Sequence, residues 1–262
     1  MNVRPKKQLG QHFLRDKNIA KKIVDSLKSE KVAAILEIGP GMGVLTQYLV
    51  DLPTPLYAVE IDTESVEYLH LHYPQLGDHL LSQDFLKMNL ESSLPGPLAI
   101  IGNFPYNISS QIFFKVLEYR EMIPEVVGMI QKEVAERIAE KPGTKTYGIL
   151  SVLLQCYYKI EYLFTVNEGV FDPPPKVKSA VIRLTRNDVT DLGCNEKLFV
   201  NIVKSTFNQR RKTIRNSIRG AYGGELPEHR LLTMRPEQLS VAEFVELTRL
   251  VEADQTRTSM LV

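Results

Sequence analysis

The 262-residue chain is poor in cysteine, and the two it has, Cys156 and Cys194, stand far apart with no partnering pattern. A disulfide-built scaffold is excluded, and the pair reads as free thiols in a reducing compartment. No His and Cys residues cluster at metal-ligand spacing, so no metal is expected. The basic N-terminus is not followed by an apolar run, which argues against a secretory signal. No stretch approaches the length needed to span a bilayer. A cytoplasmic protein with no membrane contact is therefore expected. Internal repeats and low-complexity segments are also missing. What is present is globular: the apolar fraction, 44%, is ordinary for a packed core. The length suits one large domain, alone or with a small one.

The net charge of +1 conceals a segregation of sign. Residues 1–31 carry +6, residues 32–140 carry −10, residues 141–224 carry +8 and residues 225–262 carry −3. An acidic middle between two basic segments points to a polyanionic partner touching the ends of the chain. Taken singly, each basic stretch is as readily the solvated face of an ordinary helix.

Residues 1–16 read as an arm, broken by Pro5 and Gly10 and opened by three cations; such arms lie on nucleic acid or close over a ligand. Asp16 is placed to cap a helix to about Leu27. The buried strand 32–38 then runs into Gly39-Pro40-Gly41-Met42-Gly43, and a helix resumes near Val44. Strand, glycine loop and helix make a nucleotide-binding βα unit. The glycines follow Glu37-x-Gly39-x-Gly41-x-Gly43, not the dinucleotide spacing, which would need a glycine at Val44. This resembles the loop of methyltransferases that bind S-adenosylmethionine (SAM), where glycine permits backbone contact with the methionine part of the cofactor.

Three further strands end on polar groups. Strand 56–59 ends in Glu60, 21 residues beyond Gly39 and placed to accept hydrogen bonds from ribose hydroxyls. Its competitor Asp62 would be structural as a helix cap. Strand 80–83 ends in Asp84, which either meets the exocyclic amine of a cofactor adenine or caps a turn. Strand 98–102 ends in Asn103-Phe104-Pro105-Tyr106. There an amide offers donor and acceptor, a proline fixes the backbone, and an aromatic face can stack a base. Open α/β sheets bind ligands along this carboxyl edge.

Later, a strand over 126–130, helices over 133–139 and 148–157, and a strand over 158–166 are expected. Three prolines, Pro173 to Pro175, stiffen a loop before a final strand. Phe171 on that loop is read as the second face of a base sandwich, against the usual fate of a phenylalanine in a core. Beyond residue 187 the pattern is helical. The run 209–219 holds Arg210, Arg211, Lys212, Arg215 and Arg219, with no acid between Lys197 and Gly224. A helix here would align Arg211, Arg215 and Arg219 as one stripe for phosphate contact. The division expected is an arm over 1–16, an α/β Rossmann-like domain over 17–187 and a small all-α domain over 188–262.

The chain resembles the KsgA family of small-subunit rRNA adenine dimethyltransferases. The matching pieces are Leu9-Gly10-Gln11-His12-Phe13-Leu14, Glu37-Ile38-Gly39-Pro40-Gly41, Glu60-Ile61-Asp62 and the run from Asn103 to Ser109. They continue with Gln131-Lys132-Glu133-Val134, the run from Phe171 to Val177 and the run from Phe207 to Asn216. The resemblance implies SAM-dependent dimethylation of two adjacent adenosines near the 3′ end of 16S rRNA in the small ribosomal subunit; a part in subunit biogenesis and a monomeric state are expected beside it. It implies cofactor contacts from His12, Leu14, Gly39, Glu60, Asp84 and Asn103, beside the loop glycine Gly41. Two departures stand out: Phe104 replaces an expected Leu, and His12 stands where some relatives have Asn. In this reading the Asn103 oxygen and a backbone carbonyl near Phe104 or Pro105 accept the amine hydrogens. Tyr106, with Phe171, holds the extruded base, and positioning does most of the catalytic work. The alternatives are an Erm-type large-subunit rRNA enzyme, a DNA adenine methyltransferase, a glutamine methyltransferase, or an assembly factor that acts by binding. The run from Phe207 to Asn216 speaks against the first two.

Overall fold

The structure is a computed structural model that describes residues 3–28, 31–222 and 226–260, with backbone alone at 220, 221 and 255–260. Gly224, where the acid-free run ends, lies outside the described residues. The chain first forms β1 (Phe13–Leu14), α1 (Lys17–Val24), β2 (Ala34–Ile38), α2 (Thr46–Leu49), β3 (Leu56–Glu60) and α3 (Thr63–His72). Then come β4 (Leu80–Ser82), α4 (Leu90–Ser93), β5 (Leu98–Asn103), α5 (Ser109–Glu118), β6 (Glu125–Gln131), α6 (Lys132–Ala139) and α7 (Ile149–Tyr157). The rest is β7 (Tyr158–Val166), β8 (Phe171–Asp172), β9 (Ser179–Arg186), α8 (Glu196–Asn208), α9 (Ile214–Tyr222), α10 (Arg230–Thr233) and α11 (Val241–Met260).

Seven strands form one sheet in the order β4-β3-β2-β5-β6-β9-β7. The pairs β2/β3, β3/β4, β2/β5 and β5/β6 are parallel, and β9 joins β6 antiparallel. The central strands β2 and β5 are apolar runs buried along nearly their whole length, as strands covered on both faces must be. The chain builds outward from β2 to β3 and β4, then returns to β5 on the other side. The strand order therefore reverses between β2 and β5, and a crevice opens beyond their carboxyl ends at such a point. Asp16 caps α1 as its position suggests, its Oδ1 accepting from the N–H groups of Asn18 (2.8 Å) and Ile19 (3.0 Å).

Two compact units divide the chain: Met1–Ala135 with Lys159–Arg186, and Glu136–Tyr158 with Asn187–Val262. The boundary expected at 187 is one of three crossings between the units, the others falling at 135/136 and 158/159. The segment 136–158, apolar on α7 with Leu150, Val152, Leu153 and Leu154 buried, groups with the C-terminal helices. A contiguous 17–187 domain would have left that face outside its core.

In the second unit the expected single helix through 209–219 is broken. Helix α8 stops at Asn208, residues 209–212 turn, and α9 starts at Ile214. Arg211 lies in the turn while Arg215 and Arg219 lie on α9, so the three do not share one helical stripe. An unbroken helix from Glu196 to Tyr222 would run about 40 Å at 1.5 Å per residue. The turn instead folds Ile214 and Ile218 back to full burial, and the Ile214 N–H donates to the Met234 carbonyl at 2.8 Å.

Candidate active site

A cavity of about 190 Å³ opens at the strand-order reversal, lined from the loops after β2, β3, β4 and β5 and from the N-terminal arm. The sequence-derived candidates His12, Gly39, Gly41, Glu60, Asp84, Asn103, Phe104, Pro105 and Tyr106 all line it. Gly39 has a φ of +67° and nothing within 4 Å of an added Cβ, so the backbone here borders open space. A Cβ on Gly41, at φ +57°, would meet the Phe13 ring at 2.8 Å. Glycine is needed at Gly41 for closure of the arm as well as for the backbone conformation.

Glu60 is 4% exposed, and its carboxylate is largely taken up by backbone. Oε1 accepts from the N–H groups of Ile61 and Asp62, both at 2.9 Å, and Oε2 accepts from Gly41 N–H at 3.0 Å. A carboxylate has about four acceptor positions, so one remains, on Oε2. Burial raises the Glu60 pKa, and the three N–H groups oppose that rise.

Asp62 does something the sequence did not disclose. It precedes α3, but its side chain caps no backbone N–H. It accepts from the Ser65 hydroxyl at 3.0 Å, from Gln11 Nε2 at 3.3 Å and from the Lys6 ammonium. Lys6 also pairs with Glu64 at 3.1 Å. The arm is thus tied to the loop after β3, and the Asp62 carboxyl is held below its ordinary value by these donors despite its burial. The arm returns through β1, which pairs antiparallel with β8.

That pairing sorts two expectations. Leu14 lies opposite Phe171, and both are buried at 4% in the hydrophobic core. Phe171 does not line the cavity, so the core position replaces its reading as a second base face. Leu14 is absent from the main cavity's lining and borders a smaller cavity behind the glycine loop, with Glu37, Gly39 and Met42. The opposite face of the same two-residue ladder puts Phe13 into the main cavity. Alternation along a strand gives this sorting, but nothing local marks two residues of an arm as a strand.

Asn103 ends β5. Its Nδ2 donates to the His12 carbonyl at 2.9 Å, and its Oδ1 has no partner among the described residues. The amide is thereby oriented, with the oxygen as the polar atom left for the cavity. The His12 Nδ1 stands 2.8 Å from the Pro173 carbonyl, so the proline loop fixes the residue that fixes Asn103. A Cβ on Gly128 would meet the buried Phe104 ring at 2.5 Å, and one on Gly102 would meet the Ile38 carbonyl oxygen at 2.6 Å and the same ring at 2.9 Å, which accounts for both strand glycines. Tyr106 is half-buried, with its hydroxyl against the buried Ser179 hydroxyl and its ring 5.4 Å from that of His12. Burial raises the Tyr106 pKa, so it is a neutral ring and not a base. Asp84 both lines the cavity and caps the following turn, its Oδ1 accepting from Leu86 N–H at 3.0 Å.

Behind the loop, Glu37 is 1% exposed and accepts from the Thr46 hydroxyl at 2.6 Å. Desolvation pushes its pKa from the ordinary 4.5 up to about 8. The folded protein keeps this proton where the unfolded chain loses it. The Glu37 contribution is full below pH 4.5 and is lost as pH rises through about 8, at about 1.4 kcal/mol per pH unit in between. Glu37→Gln is expected to flatten the dependence of melting temperature on pH over that window. Equal slopes in both proteins would mean that Glu37 is ionised in the fold.

A family model described as "Ribosomal RNA adenine dimethylase" matches residues 2–252. A protein of Phocaeicola vulgatus named "Ribosomal RNA small subunit methyltransferase A" is 61% identical over 254 residues, covering 96% of this chain and 91% of that one. A protein of the same name from Parabacteroides distasonis is 59% identical over 248 residues, covering 94% and 93%. Among solved structures, a dimethyladenosine transferase from Plasmodium falciparum has the same fold, with a TM-score of 0.78, 23% identity and coverage of 93% and 98%. The 23S rRNA methyltransferase ErmE follows at a TM-score of 0.65, 26% identity and coverage of 90% and 99%.

Proposed function

The chain belongs to the family of ribosomal RNA adenine dimethylases, and from that premise we propose how its residues perform the reaction. The activity is SAM-dependent N6,N6-dimethylation of adenosines in small-subunit rRNA, and the paired target adenosines are those near the 3′ end of 16S rRNA. Bound in the crevice, SAM supplies an electrophilic methyl on a sulfonium. The cavity fits such a group: Gly39 offers open backbone, Glu60 keeps one acceptor for a ribose hydroxyl, and Asp84 offers its second carboxylate oxygen toward an adenine amine. His12 holds the arm against the site.

The acceptor adenine is a poor nucleophile because its amine lone pair is delocalised into the ring. Asn103 Oδ1 and a backbone carbonyl near Phe104 or Pro105 accept the two amine hydrogens and favour a pyramidal nitrogen. Tyr106 stacks the extruded base, held by Ser179. The proton leaves to water once the nitrogen is quaternised. The observation that carries this reading is the Asn103 amide, tied through nitrogen to the His12 carbonyl and offering oxygen to the cavity. Incubation with labelled SAM and, separately, small subunits, large subunits, naked rRNA and DNA tests it; label in the 16S rRNA of small subunits is expected. Label in large-subunit rRNA would favour the ErmE-like reading instead.

In the second unit, RNA contact falls to the exposed cations. Arg211 and Arg219 are exposed and make no ion pair among the described residues. Arg215 is half-buried and bonds the Leu226 carbonyl at 3.3 Å, and Arg210 reaches the Thr144 carbonyl at 3.0 Å and Glu237 at 3.7 Å. Arg210 and Arg215 therefore serve the unit's own structure as well. Changing Arg211 and Arg219 together to Ala is expected to weaken binding to small subunits and to lower the salt slope of log K by about 1.5. SAM affinity and melting temperature are expected to hold. An unchanged salt slope would remove this pair from the RNA surface. The protein acts as a monomer in the cytoplasm in this reading; no helix among the described residues is long and apolar enough to cross a membrane.

A further inference from the structure

Lys115 lies on the helix that begins just after the Asn103–Tyr106 motif, yet its side chain serves the other end of the cavity. It is 7% exposed. Its ammonium makes no ion pair among the described residues. Instead it donates to two backbone carbonyls, Leu86 O at 3.2 Å and Met88 O. It also stands 5.6 Å from the Phe85 ring centroid and 5.2 Å from that of Tyr119. A buried cation without a carboxylate is expensive to keep, and an apolar residue would fill the same space more cheaply. What the charge gains is a fixed geometry at the Leu86 and Met88 carbonyls, in and just after the short turn 85–87.

That turn carries one wall of the cofactor cavity, through Asp84, Phe85 and Leu86. The connection to Asp84 runs through the backbone of Leu86. Lys115 holds the carbonyl of Leu86, and the N–H of Leu86 donates to Asp84 Oδ1 at 3.0 Å. With Oδ1 occupied in this way, Oδ2 is the atom left to meet a ligand. Among the described residues its only ion pair is a 3.6 Å approach from the exposed Lys87.

We propose that Lys115 is a positioning residue for cofactor recognition, setting the Asp84 carboxylate through the backbone of Leu86, whose carbonyl it holds and whose N–H bonds Asp84, so that the site selects an adenine amine. This rests on the reading of Asp84 as the adenine acceptor. The two are separated by measuring binding of S-adenosylhomocysteine and S-inosylhomocysteine, which differ in that amine, by calorimetry. The wild-type protein is expected to prefer the adenine form at least tenfold, and Asp84→Asn to lose that preference. Lys115→Met, which keeps the apolar stem, is expected to bind the adenine form about tenfold more weakly and to lose most of the preference. Lys115→Gln, which keeps one donor, should fall between them, and it carries the test if the Met variant does not fold. In the Asp84→Asn background, the Lys115 substitutions should cost less than a further twofold. A wild-type protein without preference overturns the role of Asp84. A Lys115 variant that keeps the wild-type preference overturns the proposal, whatever happens to its melting temperature.

Discussion

Asn103→Ala is expected to slow methyl transfer roughly 10²–10³-fold, the effect of removing one preorganised polar group that acts in the transition state. The mechanism needs the acceptor only when the adenine nitrogen pyramidalises, so the loss belongs in the rate at saturating SAM and saturating small subunits. Single-turnover methylation is the measurement. Asn103→Asp separates the two ends of the amide. It keeps an acceptor but replaces the Nδ2 donor, which bonds the His12 carbonyl at 2.9 Å, with a second oxygen. An anionic oxygen against a carbonyl is repulsive, so this variant should be slow as well, and the arm should become more open to proteolysis. A wild-type rate in Asn103→Ala would reduce the motif to a turn that ends β5.

Glu60→Ala is expected to weaken SAM binding by about 1–3 kcal/mol, the range for losing a hydrogen bond to a charged group. It should also lower the melting temperature, because the N–H groups of Gly41, Ile61 and Asp62 lose their shared acceptor. Glu60→Gln is not conservative here: one carboxylate oxygen becomes an NH₂ that must face a backbone N–H. Both substitutions should therefore act in the same direction. pH adds a check on sign. The Glu60 pKa is raised by burial, and a ribose hydroxyl is best accepted by the ionised form. SAM affinity should accordingly begin to fall, on acidification, above the ordinary carboxylate range. The Glu60→Ala variant should lack that phase. Unchanged affinity in Glu60→Ala at neutral pH would take Glu60 out of the site.

The parts of this protein legible in the sequence are those that depend on local chemistry and on the continuous apolar runs of parallel strands covered on both faces. The glycine loop, the strands over 34–38, 56–60, 80–82 and 98–103, and the polar residues at their ends all follow from apolar runs closed by a distinctive group. Because these four strands are parallel, their ends lie along one edge, and Gly39, Glu60, Asp84 and Asn103 meet without further instruction. Side-chain partners at long range were decided by tertiary structure alone. Nothing near Asp62 in sequence says that it binds Lys6 and Gln11, and nothing near Lys115 says that it serves Leu86 and Met88. Phe171 shows the same limit: an aromatic beside prolines suits either a core or a stacking face, and its register with Leu14 chose the core. The break at 209–213 and the transfer of 136–158 to the second unit were settled by where buried apolar residues find room. Backbone preference acts over a few residues and is written in the sequence nearby; burial is a property of the assembled chain, and only the fold could assign it.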